Sequence, residues 1–197
     1  MGRIVVVENV TLDGVVQAPG RCDEDRRGGF AHGGWAQPYQ DEVMARVMAE
    51  GMAEATATGG ALLFGRRTYE DFAGYWPRQT DNPFTPVLNA QRKYVASRTL
   101  RGPLTWENST LLTGDAAQTV AVLKAEPVDL TVLGSGELVR SLLAADLVDE
   151  LWLSIHPLVL GTGQRLFAGA GPSRTLRLVD SVPTTTGVMI ATYRRIP

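Results

Sequence analysis

Short apolar runs alternate with amphipathic segments along most of the chain. The run from Ile4 to Val10 is rich in β-branched residues and nearly continuous, which is typical of a strand buried on both faces. From Asp41 to Thr58 the apolar residues recur at three- and four-residue spacing, which predicts a helix with one buried stripe. The same criteria predict further strands at 61–64, 93–97, 109–113 and 130–133, and further helices at 68–73, 115–125 and 137–145.

The C-terminal part has a different pattern. The ranges 150–156, 175–182 and 187–195 are predicted as strands with no helix between them, and the turn residues Pro183–Thr186 join the last two in an antiparallel hairpin. Alternating strands and helices followed by adjacent strands predict an α/β fold with a mixed, mainly parallel sheet and an antiparallel edge. The length of 197 residues favours one domain over 1–197.

Two stretches lack a clear period. Gln17 to Gln40 is predicted as a long irregular loop that its glycines keep mobile, and loops of this length in compact domains act as lids or are disordered. The segment from Trp76 to Pro86 is also predicted as loop.

Composition and charge argue against several classes of binding partner. The formal net charge is −2 and no long basic run occurs, so neither nucleic acid nor a membrane surface is an expected partner. No apolar stretch approaches the roughly 20 residues that span a bilayer. The single cysteine, Cys22, allows no internal disulfide and fits a cytoplasmic protein. One cysteine and two histidines also make a bound metal unexpected.

Two glycine-marked turns stand where a predicted strand meets a predicted helix. The first is Gly65-Arg66-Arg67-Thr68, and the N–H groups of the helix that follows point outward. Arg66 offers a planar fork of donors suited to a phosphate monoester, while Thr68 can cap the helix or bind phosphate. The alternative is that both arginines are merely solvated, although cations oppose the positive end of a helix dipole.

The second turn is Gly134-Ser135-Gly136, followed by Glu137. A strand, a glycine pair and a helix N-terminus form a cradle for pyrophosphate. Position 139 is valine, so the full G-x-G-x-x-G fingerprint is absent, and a tight turn without ligand is the alternative. Taken together, two such turns and adjacent arginines indicate a reductase that binds NADPH.

Weaker candidates complete the set. Ser97-Arg98 ends a predicted strand and could hold another face of the same phosphate; the alternative is an ordinary surface strand end. A reductase also needs a proton for the heteroatom left negative by hydride transfer. Asp41, at the start of the first helix and after the predicted lid, is the candidate proton donor or substrate anchor, and the alternative is a helix-start anion.

Five segments, taken in order, span nearly the whole chain: Val10–Gly14, Phe64–Glu70, Lys93–Leu100, Leu133–Gly136 and Leu147–Gly163. In their order and spacing they resemble the dihydrofolate reductase-like superfamily. They are most similar to the reductase domain at the C-terminus of the riboflavin-biosynthesis deaminase-reductase, RibD. The resemblance implies a three-layer α/β/α dihydrofolate reductase-like fold, a homodimer and NADPH as cofactor. A single cysteine cannot supply the zinc ligands of the deaminase domain, so a stand-alone reductase module is expected.

The resemblance also implies residue roles. The 2′-phosphate and pyrophosphate would be held by Gly65, Arg66, Arg67 and Thr68, and the adenosine end by Ser97 and Arg98. The pyrophosphate and nearby ribose would also meet Gly134, Ser135, Gly136 and Glu137. The nicotinamide would lie near Val7, Asn9, Asp13 and Gly14. Asp41 falls near the position where dihydrofolate reductases keep their substrate carboxylate.

The expected activity is NADPH-dependent hydride transfer to a C=N or C=O bond of a small pteridine- or pyrimidine-like substrate. By resemblance, reduction of 5-amino-6-(5-phosphoribosylamino)uracil in riboflavin biosynthesis is the nearest reaction. Two alternatives stay open at this point: a non-catalytic NADP(H)-binding module, and a dihydrofolate reductase proper.

Overall fold

The computed structural model describes residues 1–169 and 171–196. Within these residues, eight strands form one sheet. The strands are β1 (Ile4–Thr11), β2 (Ala61–Gly65), β3 (Lys93–Ser97), β4 (Ser109–Thr113), β5 (Leu130–Leu133), β6 (Glu150–His156), β7 (Leu176–Pro183) and β8 (Met189–Arg195). Their order across the sheet is β4-β3-β2-β5-β1-β6-β8-β7.

Strands β1 to β6 pair in parallel, and β8 joins the sheet antiparallel to β6 with β7 as the edge. This mixed sheet with an antiparallel C-terminal hairpin confirms the fold class predicted from the sequence. The central position of β1 explains its apolar character, because both faces of this strand are covered.

Helices cover both faces of the sheet. They are α1 (Glu42–Ala57), α2 (Arg66–Tyr75), α3 (Phe84–Ala90), α4 (Ala116–Lys124) and α5 (Gly136–Ala144). One face packs against α4 and α5 through Val120, Val139 and Leu142, which share a core with Ile4 and Val6. On the opposite face, α1, α2 and α3 pack in two smaller clusters. No helix in the described ranges is long and apolar enough to cross a membrane.

The prediction of an unbroken loop from Trp76 to Pro86 is wrong. A short 3-10 helix spans Trp76–Arg78, and α3 begins at Phe84, whose N–H donates to Asn82 Oδ1 at 2.9 Å. Pro86 lies in the first turn of α3, where proline costs no hydrogen bond, so it does not break the helix. Leu88 of α3 is buried in the core formed with β2 and β3.

The irregular segment between β1 and α1 is tied down by buried side chains. Phe30 and Trp35 form a small core with Val15, and the Trp35 indole N–H donates to the Gln17 carbonyl at 2.7 Å. The Gln17 side chain in turn bonds to the backbone of Asp25, Arg27 and Gln164. Glycines therefore shape this loop, while aromatic packing holds it against the sheet.

Candidate functional site

A cleft of about 1390 Å³ opens at the carboxyl ends of the parallel strands. In open α/β sheets this edge is where ligands bind. The cleft exceeds the roughly 300–1,000 Å³ of a pocket for one drug-sized ligand, so it has room for a dinucleotide and a second molecule. The predicted site residues that line it are Val7, Asn9, Gly65, Arg66, Arg67, Thr68, Ser97, Arg98, Gly134, Ser135, Gly136 and Glu137.

The two predicted glycine turns touch one another. The Gly65 N–H donates to Ser135 Oγ at 2.9 Å. Gly134 has φ +62°, and a Cβ added there would lie 3.4 Å from the Thr68 methyl group. Ser135 also has a left-handed backbone, with φ 72°, and such conformations cluster at functional sites. The sequence placed both turns at strand ends, and the parallel sheet brings them together.

Two helices begin at this point with their first N–H groups uncapped. Helix α2 starts at Arg66 and α5 at Gly136, and no side chain caps either one. Thr68 was predicted as a possible cap, but α2 begins earlier than predicted and Thr68 lies in its first turn. The free N–H groups and the positive ends of two helix dipoles therefore face one cleft, which favours an anion there.

Arginines lie at the side of the cleft formed by α2 and the end of β3. Arg66 donates to Thr99 Oγ1 at 2.9 Å and pairs with Glu70 at 3.2 Å. Arg98 is exposed on the adjoining turn. Ser97 holds that turn, because its Oγ accepts the N–H groups of Thr99 and Leu100 at 3.2 and 3.0 Å. The predicted Ser97-Arg98 pair is thus a turn-forming hydroxyl beside an accessible guanidinium.

A second charged group spans the cleft near the start of α5. Glu137 accepts from Arg67 at 2.8 Å and lies 3.5 Å from Arg27, which comes from the loop before α1. Sequence reasoning did not find Arg27, because nothing local links a loop arginine to a helix 110 residues away. Arg27 also pairs with Asp25 at 2.5 Å, so at this end of the cleft two guanidiniums face two carboxylates and their formal charges balance.

Asp41 does not line the cleft. Its Oδ1 accepts the Met44 N–H at 2.8 Å, and its Oδ2 accepts the Thr185 N–H and hydroxyl, both at 2.7 Å. Hydrogen bonds from the Thr185 hydroxyl and the Met44 N–H hold the pKa of Asp41 below its ordinary value. The carboxylate therefore caps α1 and anchors the β7–β8 turn, and this geometry argues against the predicted proton donor.

Asp13 and Gly14 are not among the residues that line the cleft. Asp13 accepts from the Thr11 hydroxyl at 2.6 Å and from the Gly161 N–H at 2.9 Å, and it pairs with Arg165 at 3.4 Å. The Thr11 hydroxyl is the main cause that lowers the pKa of Asp13. Asp13 thus joins the turn after β1 to a distant loop, and only Val7 and Asn9 of the predicted nicotinamide group reach the cleft.

Asn9 is oriented by a neutral histidine. His156 Nε2 lies 3.0 Å from Asn9 Oδ1, and Trp35 and Tyr39 meet the imidazole edge-on. Burial lowers the pKa of His156 to about 4, so the ring is uncharged at neutral pH. When Nε2 donates to Asn9 Oδ1, this hydrogen bond fixes the orientation of the Asn9 side-chain amide.

Glu8 lines the cleft and was not among the predicted residues. It lies on β1, is only 4% exposed, and its Oε1 has no hydrogen-bond partner. Burial raises the pKa of Glu8 to about 8. The signal was present in the sequence as a carboxyl group inside an otherwise apolar strand run.

The chain matches the family model described as RibD C-terminal domain over residues 3–190. Among curated proteins, the uncharacterized protein YyaP of Bacillus subtilis (strain 168) is 30% identical over 138 residues, which are 67% of this chain and 72% of YyaP.

Two solved structures share the fold. A putative riboflavin biosynthesis protein from Shewanella sp. PV-4 has a TM-score of 0.69 at 20% identity and covers 99% of both chains. A pyrimidine reductase-like protein from Corynebacterium diphtheriae has a TM-score of 0.60 at 12% identity, covering 100% of this chain and 92% of its own. The family match over nearly the whole length agrees with the resemblance carried by the glycine turns, and the chain belongs to the RibD C-terminal domain family.

Proposed function

We propose that this protein is a reductase that uses NADPH to reduce a C=N or C=O bond of a pyrimidine- or pteridine-like substrate. The observation that carries the proposal is the convergence of two uncapped helix N-termini and accessible arginines on one cleft. Anions bind where helix N–H groups are free, and guanidinium groups add charge and paired donors. Family membership supports the reductase class.

The close packing of the second glycine turn supports a pyrophosphate site. A Cβ at Gly134 would meet Thr68 at 3.4 Å, and a Cβ at Gly136 would meet Val16 at 3.1 Å. Backbone without side chains is what close approach of a pyrophosphate requires. We assign the pyrophosphate to this turn and to the first turn of α2.

The extra phosphate of NADPH distinguishes it from NADH. We assign the 2′-phosphate to Arg66 and Arg98, because Arg66 bonds to Thr99, the residue after Arg98, and both arginines line the cleft. The nicotinamide is then directed toward Val7 and Asn9 at the end of β1. When bound, the cofactor supplies the hydride, and the protein binds, orients and excludes water.

For the substrate, the relatives with solved structures offer a direction. One is described as pyrimidine reductase-like and another as a putative riboflavin biosynthesis protein. We therefore propose a pyrimidine or pteridine ring, with the ribosylaminouracil intermediate of riboflavin synthesis as the first compound to assay. Dihydrofolate is the second, because a dihydrofolate reductase proper would differ only in substrate.

Binding and turnover test the proposal separately. Titrating the protein with NADPH should change the fluorescence of the reduced nicotinamide with a saturable curve, and no binding at millimolar NADPH would eliminate the cofactor assignment. Loss of absorbance at 340 nm with a pyrimidine or pteridine added then tests reduction. Tight NADPH binding with no turnover of any such compound would instead favour the non-catalytic NADP(H)-binding module.

We also propose a homodimer, as in the family resemblance. The edge strand β7 exposes Leu178 and Val179, at 51% and 43%, and Met189 on β8 is 39% exposed. An edge strand with exposed apolar side chains is a surface that a second copy can cover.

A further inference from the structure

We propose that Glu8 is the proton donor of this site: its neutral carboxyl group gives a proton to the substrate heteroatom that becomes negative when hydride arrives. The proposal rests on the reductase function proposed above. The proposed acid is therefore a residue of β1 that lines the cleft, and not Asp41 at the start of α1.

The position of Glu8 follows from the alternation of β1. Ile4, Val6 and Val10 point into the core shared with α4 and α5, and Glu8 shares their side of the strand. It stands beside Leu153 in the sheet, where an apolar side chain would be expected. Val7 and Asn9 alternate to the opposite face of β1, yet all three residues line the cleft, so the cleft reaches both faces of the strand at this level.

Within the described residues, no group donates a hydrogen bond to the Glu8 carboxyl group. Its Oε1 is buried without a partner, and no ion pair to either oxygen occurs in the described ranges 1–169 and 171–196. Asp71 provides the contrast: its Oδ2 is also unpartnered, but its Oδ1 is paired with Arg21. A buried polar group without a partner costs free energy, and such groups are retained where a ligand or reaction uses them.

Two charged groups act on Glu8 from the elements around it. Glu24, in the loop before α1, disfavours ionisation, and Arg140, on α5, favours it. Both are engaged elsewhere, since Glu24 accepts the Gly20 and Arg21 N–H groups and Arg140 donates to the Arg165 carbonyl at 3.0 Å. The other charged residues that line the cleft are not among the causes that shift the Glu8 pKa; they are Asp25, Arg26, Arg27, Arg66, Arg67, Glu70, Asp71, Arg98, Asp115 and Glu137.

Burial is therefore the dominant influence, and it keeps the proton on Glu8 at neutral pH, with a pKa of about 8. A neutral carboxylic acid offers one O–H donor toward the cleft. Such a group binds an unprotonated ring nitrogen or a carbonyl oxygen, and it disfavours a carboxylate or phosphate at the same spot. The neutral carboxyl group of Glu8 therefore favours the binding of the heterocyclic end of the substrate beside it.

The reaction balances with NADPH as the reductant. The carbon of the C=N or C=O bond takes the hydride, and the π electron pair moves to the nitrogen or oxygen. The O–H bond of Glu8 breaks as the new N–H or O–H bond forms, which leaves the reduced substrate, NADP⁺ and a Glu8 carboxylate. Because a buried carboxylate is unfavourable here, Glu8 regains a proton from water through the open cleft.

The protonation state can be measured without a substrate. In protein labelled with ¹³C at the glutamate carboxyl carbons, one resonance should titrate near pH 8, disappear in Glu8→Gln and persist in the exposed control Glu126→Gln. The folded state holds this proton between pH 4.5 and about 8 while the unfolded chain releases it, so the wild type should lose stability relative to Glu8→Gln across that window. If every glutamate titrates below about pH 6, the proposal is overturned.

Turnover then tests the donor role itself. Gln keeps the shape and neutrality of the protonated acid, so the Glu8→Gln protein should fold and bind NADPH within about twofold of wild type. Its kcat should fall by about 10²- to 10⁴-fold, and the loss of wild-type kcat/KM above about pH 8 should vanish. Unchanged kcat in Glu8→Gln would overturn the donor role alone, whereas wild-type protein that fails to bind NADPH would overturn the reductase function as well.

Discussion

Replacing Arg66 by alanine should weaken NADPH binding while leaving NADH binding almost unchanged. The guanidinium lies beside Thr99 and Glu70 at the first turn of α2, and it can turn from Glu70 to a phosphate. Both nucleotides share every other group, so the difference between their affinities isolates the 2′-phosphate. If Arg66 contacts only the 2′-phosphate, its removal weakens the binding of NADPH and does not affect the binding of NADH.

The magnitude follows from the type of bond and its exposure. A hydrogen bond to a charged group contributes about 1.5–3 kcal/mol, and 1.4 kcal/mol corresponds to a tenfold change in Kd. The Arg66 side chain is 45% exposed, so solvent screening places the effect near the lower end of that range, about tenfold. The i,i+4 pair with Glu70 contributes only about 0.3–0.5 kcal/mol to folding, and the variant should therefore remain folded.

The assay is a fluorescence titration with NADPH and NADH at one fixed ionic strength. Arg46→Ala is the matched control, because Arg46 forms the same i,i+4 pair with Glu50, at 3.6 Å on α1, and does not line the cleft. Arg46→Ala should leave both affinities within about twofold. Equal losses of NADPH and NADH in Arg66→Ala would refute the 2′-phosphate assignment.

Three further outcomes are expected. Gly134→Ala forces a side chain into a left-handed conformation near Thr68, which should cost about 1–2 kcal/mol, lower the Tm by a few degrees and weaken NADPH binding; unchanged binding would contradict the pyrophosphate cradle. Because the pKa of Asp13 is lowered, its ionised carboxylate stabilises the fold above about pH 4, and this stabilisation is lost as the pH falls. In urea unfolding at pH 7, Asp13→Asn should have a lower free energy of unfolding than wild type, and the difference should shrink in acid. Light scattering should give wild type the mass of two chains and Leu178→Asp that of one, and a monomeric wild type would exclude the dimer.

Much of the fold could be predicted because the apolar residues of each helix or strand recur at the spacing typical of that element. The strands at 93–97, 109–113, 130–133 and 150–156 have the predicted bounds, and Asp115 caps α4 as its position implied. The cleft could be predicted for a topological reason. Residues that follow parallel strands meet at one edge of the sheet, so Gly65 and Gly134 come together although 69 residues separate them.

The contacts that decide the role of each acid could not be predicted in this way. The bond from Asp41 to Met44 is local and typical of a helix start, but the bond from Asp41 to Thr185 joins residues 144 apart. Asp13 likewise meets Gly161 across 148 positions. A pattern of polar and apolar residues records that a carboxylate is present, and it does not record which donors reach it.

The number of hydrogen-bond donors around each carboxyl group therefore separates structural acids from a proton donor. Asp13 and Asp41 receive hydroxyl and N–H donors on both oxygens, which stabilise the ionised form and lower the pKa, so neither holds a proton near neutral pH. Glu8 receives none and is buried, so its neutral form is favoured and a proton remains available in the cleft. An acid that gives up a proton in each turnover must first be able to hold one, and the strand residue meets that condition while the two acids near turns and helix starts do not.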